Sequence, residues 1–265
     1  QAIGSNCDVG GDSVSVSNVN NSSVKGKSHS VSDSSNVIVI GDSNQVKTTT
    51  INSLVSGKSQ TEISGTNTAL FGEDHNTTST TNTLSTGKNN TVNTGSQSLL
   101  SGKDNTGTSV TNVFITGHSN SATNSTNTNL LGDQNHATGN NNSLLSGKSN
   151  SETNGFQNTL LGDSNSTINS RDTMAGGKSN SMNSTIRNMS YGLSNNVTTS
   201  TDTVTVGRDN TVLDVSHSVI MGISHDISSN TFGTLVSGKS HKEHTGKYNI
   251  TGGESNQIAN SQNAY

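Results

Sequence analysis

Proline is absent from this 265-residue chain. Every backbone N–H can therefore enter a ladder, as strands paired on both sides require. A single cysteine, Cys7, excludes an intrachain disulfide, and with no histidine near it in sequence it reads as an incidental thiol close to the terminus. Tryptophan is missing, aromatic residues make up 3% and apolar residues 25%. An ordinary globular domain is nearly half apolar, so a conventional single core is excluded. No apolar run is long enough to span a membrane as a helix. With a net charge of −4 and Lys interspersed among Asp and Glu, no basic stripe exists to neutralise phosphates, and a nucleic-acid partner is not expected. A chain opening at Gln1, without Met, leader or anchor, reads as a processed or excised segment.

What the sequence does have is a glycine beat. From Gly11 to Gly253 a glycine recurs every 15 residues, with only two steps of 16, Gly41 to Gly57 and Gly222 to Gly238. Such a period marks stacked repeats, each too small to bury its own apolar face. The fixed phase of the apolar residues separates this chain from a disordered polar one. A typical unit reads Asn142-Ser143-Leu144-Leu145-Ser146-Gly147-Lys148-Ser149-Asn150. Its apolar run suits a short strand, after which the Gly is expected to turn the chain. A second, weaker strand is expected around Val46, Val92, Val197, Val212, Ile227 and Ile258, giving two strands and two corners per coil.

Two adjacent slots before the Gly are apolar. Three residues before it stand Ile38, Leu84, Phe114, Met189 and Leu235; two before it stand Val39, Leu100, Leu145, Leu160 and Ile220. Neighbours on a strand point to opposite faces, so one column lines the coil and the other forms an outward apolar strip. Burial of that strip against further copies of the chain, in a cyclic oligomer, is the expected outcome.

In register with this pattern, Asn142-Ser143-Leu144-Leu145-Ser146-Gly147 and Asn36-Val37-Ile38-Val39-Ile40-Gly41 resemble the Asn-Ser-Val-Ala-Ile-Gly-x-x-Ser motif of trimeric autotransporter adhesin heads, the group typified by the Yersinia adhesin. The resemblance extends over nearly the whole chain. It implies an all-β fold: a left-handed parallel β-roll of about seventeen 15-residue coils, assembled as a homotrimer. Residues 1–265 would form a single head domain with an irregular N-terminal cap at about 1–10, and the stalk and membrane anchor would lie outside this chain. It also implies display on the bacterial outer-membrane surface and binding of a host-cell surface protein, without a cofactor. The Asn/Ser/Thr/Lys-rich, proline-free repeats are similar in flavour to a fusobacterial member of the group that binds host CEACAM receptors. The alternatives are a structural spacer for another binding domain, or binding to extracellular matrix such as collagen. The chain departs from the motif in its period, in holding Leu, Val or Ile at the small Ala slot, and in placing Asn or His at the distal Ser.

Candidate binding residues are those that break the polar pattern. Nine residues after the Gly, where Ser or Thr is usual, three successive coils carry Phe156, Arg171 and Ile186; one residue further on lie Asp172 and Arg187. One residue after the Gly, where charge is usual, Leu193 and Ile223 flank Arg208. Aromatic, aliphatic and Arg side chains dominate binding hot spots, and together these eight form the candidate receptor site, with Phe232 as a lesser candidate. Four histidines, His29, His75, His225 and His241, share the slot three residues after the Gly that is otherwise mainly Asn. In a threefold assembly they could form metal-holding rings, but a role in satisfying corner backbone groups is favoured and no metal is expected.

An enzyme is not expected. The period is not a multiple of the hexapeptide of acyltransferase solenoids, and Asp202, Asp209 and Asp214 occupy unlike slots rather than forming a matched acid–base pair. An ice-binding face would need Thr-x-Thr in fixed phase, whereas Thr126-Asn127-Thr128 and Thr203-Val204-Thr205 do not recur so.

Overall fold

The computed structural model describes residues 4–263, so the first three residues of the expected cap lie outside it. The chain is an all-β parallel solenoid of about seventeen coils, with no helix among the described residues. It divides into two compact units, Gln1–Gln134 and Asn135–Tyr265. Strand pairing begins at Asp8, which lies opposite Ser23 and inside the stretch read as irregular.

In the first unit the Gly-bearing strands Leu84–Lys88, Leu99–Lys103 and Phe114–His118 stack in parallel, with Gly87, Gly102 and Gly117 in register. In the second unit Leu144–Lys148, Thr159–Asp163 and Met174–Lys178 do the same. The second strand is three residues long in many coils, as at Ser151–Thr153 against Ser166–Ile168, and runs on into the third side in others, as at Thr91–Ser96 and Asp226–Phe232. A third side, missed by the sequence reading, is a single bridging residue: Phe156, Arg171, Ile186, Thr201 and Ser216 pair in succession.

Three left-handed residues make three corners per coil where two were expected. In the coil of Gly147 they are Ser149 (φ 54°), Asn154 (φ 52°) and Gln157 (φ 55°). Short polar side chains tolerate this conformation best, which accounts for much of the Asn, Ser and Asp content. Both 16-residue steps place their extra residue at the same corner, where two successive left-handed residues stand: Thr48 with Thr49, and Ser229 with Asn230.

The repeat glycine does not turn the chain. Gly147 sits inside its strand with φ 118°, and a Cβ there would lie 2.1 Å from the carbonyl oxygen of Gly162 in the next coil. Close backbone approach between coils therefore demands glycine at this slot.

The residue two before each Gly points inward: Leu70, Leu100 and Ile115 in the first unit, and Leu145, Leu160 and Ile220 in the second, are fully buried. On the second strand Val92, Val197, Val212 and Ile227 face them from within. Much of the remaining lining is polar and is satisfied by a ladder of asparagines. Asn150 donates from Nδ2 to the carbonyls of Ser146 (3.0 Å) and Gly162 (2.9 Å), and its Oδ1 accepts the backbone N–H of Asn165 (3.1 Å). In a narrow core with few apolar residues, the ladder thereby pairs backbone carbonyls and N–H groups from coil to coil.

Candidate binding surface

The eight candidate residues fall on two edges of the coil. Phe156, Arg171 and Ile186 are consecutive on the one-residue third side. The Arg171 guanidinium stands 5.1 Å from the Phe156 ring centroid, a cation–π contact, and its Nε donates to Asp172 at 3.2 Å. At the adjoining corner Arg187 grips Asp202 of the next coil with two hydrogen bonds, Nε to Oδ1 at 2.5 Å and Nη2 to Oδ2 at 2.8 Å. That bond holds the Asp202 carboxyl below the usual carboxylate range. His217 extends the row, its Nε2 lying 3.4 Å from Asp202 Oδ2. Leu193, Arg208 and Ile223 instead pair with one another at the end of the Gly strand, beside the first corner. The sequence reading treated all eight as one cluster; the coil geometry makes them two stripes.

A third surface runs along the Gly strands. Side chains one and three residues before the Gly both point outward; the strip is two apolar residues wide at coils such as those of Ile38 with Ile40 and Met189 with Tyr191, and one wide where Ser or Thr precedes the Gly, as at Thr86, Thr116 and Ser237. Ile38, Ile40, Phe71, Leu84 and Phe114 are exposed in the first unit; Met189, Tyr191, Val206, Met221 and Leu235 are exposed in the second. Beside it each unit has a groove, about 750 Å³ near Leu84, Leu99 and Phe114 and about 480 Å³ near Met174, Met189 and Val204. In the first unit the groove is also lined by Asn67, Asn82 and Asn112; Asn67 donates to Asn82 at 2.9 Å, and Asn112 donates to Asn127 of the next coil at 2.9 Å.

The four repeat histidines face the interior and take the place of ladder asparagines. His75 Nε2 lies 2.9 Å from the Phe71 carbonyl, and its Nδ1 accepts the Asn90 backbone N–H at 3.3 Å. This arrangement fits a neutral ring protonated at Nε2, and burial holds the pKa of His75 below its ordinary value. His225 is depressed for the same reason and stacks on His241 at 5.0 Å. Buried in the coil, these rings do not face outward to meet across a threefold axis. Among the described residues no cluster of three His, Cys, Asp or Glu is placed to hold a metal. The Cys7 thiol donates to the Val19 carbonyl and packs against the core of the first unit.

Comparison with known proteins adds little. No protein-family model matches the chain, and no curated protein matches it. Among solved structures, one from Desulfovibrio desulfuricans G20, provisionally described as an acetyltransferase, is 7% identical over 88% of this chain and 67% of its own, with a TM-score of 0.15. A likeness of that size carries no argument.

His217 and Tyr248 escaped the sequence reading, and Asp202 was weighed there only as a catalytic acid, although each is visible once the slot ten residues after the Gly is followed down the repeats. That slot holds Asn36, Asn67, Asn82 and Asn112 in the first unit, then Asp172, Arg187, Asp202, His217 and Tyr248 in the second. Three buried glutamates were missed as well. Glu62, Glu152 and Glu243 occupy the inward slot of the second strand, each with Oε1 bonded and with no hydrogen-bond partner for Oε2 among the described residues. Glu152 Oε1 accepts from Ser143 Oγ (2.9 Å) and Asn158 Nδ2 (2.8 Å). All three side chains are buried inside the coil.

Proposed function

We propose that this chain is the head of a bacterial surface adhesin, a left-handed β-roll in which three copies pack along their apolar strips. In this reading it stands on the outer-membrane surface, has no catalytic role, and binds a host-cell surface protein, with CEACAM receptors the first to test. The observation that carries it is the outward strip beside the Gly strands. Water rarely faces so long an apolar run on a monomer, and a strip of constant register favours a partner with the same repeat. Receptor binding is assigned to the Phe156–Arg171–Ile186 stripe and its neighbours Asp172, Arg187 and Asp202, with Leu193, Arg208 and Ile223 as a second contact. An aromatic ring capped by a guanidinium is a favourable anchor, and three such faces would add avidity.

Light scattering at micromolar concentration is expected to return three times the chain mass of 27.3 kDa; a monomer overturns the assembly. Cells displaying CEACAM should then bind the isolated chain and lose it with Phe156→Ala plus Arg171→Ala. Retention by collagen alone would redirect the ligand, and binding to neither would leave a spacer.

A further inference from the structure

The second 16-residue step creates a concavity on the same third side that carries Phe156, five coils further along the stack and beyond Ser216, and none of its lining residues belongs to the apolar strip. Three departures from the repeat meet there. The extra residue widens one corner, with Ser229 and Asn230 at φ 64° and 62°. Phe232 replaces the usual Ser or Thr on the third side. Tyr248 takes a corner slot usually filled by Asn, and does so at φ 53°, a conformation that bulky residues seldom adopt.

Gly233 seats the tyrosine. In the coil before Tyr248 it fills the same corner slot, and a Cβ on it would stand 2.8 Å from Tyr248 Cδ1. The Tyr248 ring therefore leans over the bare glycine and meets Phe232 edge to face, centroids 5.5 Å apart and planes at 85°. On its other side Phe232 packs against His217 at 4.7 Å. Tyr248 keeps 56% of its surface in solvent. The concavity, about 420 Å³, is lined by Phe232 and Tyr248 together with the polar groups of Asp214, Asn230 and Lys247. The corresponding hollow at the first 16-residue step, near Asp33, Thr49 and Ile51, has no aromatic residue.

From this geometry we infer a carbohydrate site that takes a single pyranose residue at the end of a glycan. The apolar C–H face of a sugar ring packs on an exposed aromatic face, while its vicinal hydroxyls need fixed donors and acceptors nearby. Asp214 accepts, Lys247 donates and Asn230 does both, and the opposed charges of Asp214 and Lys247 disfavour a purely anionic or cationic ligand. The volume lies at the small end of the range for ligand sites, as a monosaccharide requires. This inference stands whether or not the chain assembles as a trimer.

The test uses the whole chain on an array of immobilised oligosaccharides ending in galactose, glucose, mannose, N-acetylhexosamine or sialic acid. At least one terminal sugar should be retained. Tyr248→Asn, which restores the residue usual at that corner, and Gly233→Asn, which fills the seat of the ring, should each weaken binding by about tenfold or more, as loss of an aromatic anchor does. Phe156→Ala should leave it unchanged. Circular dichroism matching the parent chain establishes that the variants fold. No retained sugar, or sugar binding that survives both corner substitutions in folded protein, overturns the site.

Discussion

Glu152 Oε1 lies where a side chain on Gly155 would have to begin: a Cβ there would stand 1.7 Å from it. The same spacing recurs at Glu62 with Gly65, where the distance would be 2.0 Å, and at Glu243 with Gly246, where it would be 2.1 Å. In all three coils a long acid on the second strand is matched by an empty inward slot three residues later. Gly155→Ala is therefore expected to cost about 1–3 kcal/mol, the usual penalty of overpacking. Urea unfolding would measure it, and Glu152→Ala in the same chain should recover part of the loss. A non-zero coupling in that double-mutant cycle is the signature of the pair.

The buried acids also give stability a pH dependence. Desolvation pushes the Glu62 carboxyl up from 4.5 to about 7, against the hydrogen bond from Ser53, and pushes Glu152 up to about 6. A carboxyl whose pKa is higher in the folded state binds its proton more tightly there, so stability is greatest below the unfolded value and falls as pH rises toward the folded one. Glu62→Gln, which mimics the protonated acid, should match the parent chain near pH 4 and exceed it above pH 7 by on the order of 3 kcal/mol. His75 and His225 act in the opposite sense. Their depressed pKa values make the folded chain lose stability as pH falls through the histidine range. Comparing parent and Gln variant at each pH cancels that contribution.

The asparagine ladder should be costly to interrupt. Asn165 donates to the carbonyls of Leu161 (3.0 Å) and Gly177 (3.1 Å) and accepts the backbone N–H of Asn180 (3.1 Å). Asn165→Ala leaves these groups short of a partner in a dry interior, at about 1–3 kcal/mol for each one stranded. Asn165→His should cost less, because His75 shows that an imidazole spans the same donor and acceptor positions. Thermal melting of the two variants should rank them in that order.

Charge placed on the apolar strip should act on assembly rather than on folding. Phe114 and Leu235 point outward from their strands while their neighbours Ile115 and Val236 are fully buried. Phe114→Arg and Leu235→Arg should leave the circular dichroism unchanged and lower the mass seen by light scattering to that of one chain. Ile115→Arg, one residue along, should instead prevent folding, since it buries an unpaired cation.

The stack of coils, the second strand around Val92 and Val212, and the outward strip were all legible in the sequence because a fixed period carries them. Each slot keeps its face in every coil, so alternation about one glycine predicts the rest. The third corner was not legible. It rests on left-handed residues such as Gln157 and Asn127, and polar residues of that kind abound throughout the chain. The glycine itself was misread as a turn, because its need arises from a carbonyl 15 residues away and not from its own neighbours.

For the candidate sites the division is similar. Composition and period by themselves determined that this chain is a polar, proline-free repeat whose pattern breaks at Phe156, Arg171 and Ile186. Only the tertiary structure decided that Arg208 belongs to a different edge from Arg171, that the repeat histidines turn inward, and that Tyr248 leans across Gly233 onto Phe232. The physical reason is that periodicity specifies which slot a residue occupies. Which slots share an edge, and which side chains touch, depends on where the left-handed corners fold the coil.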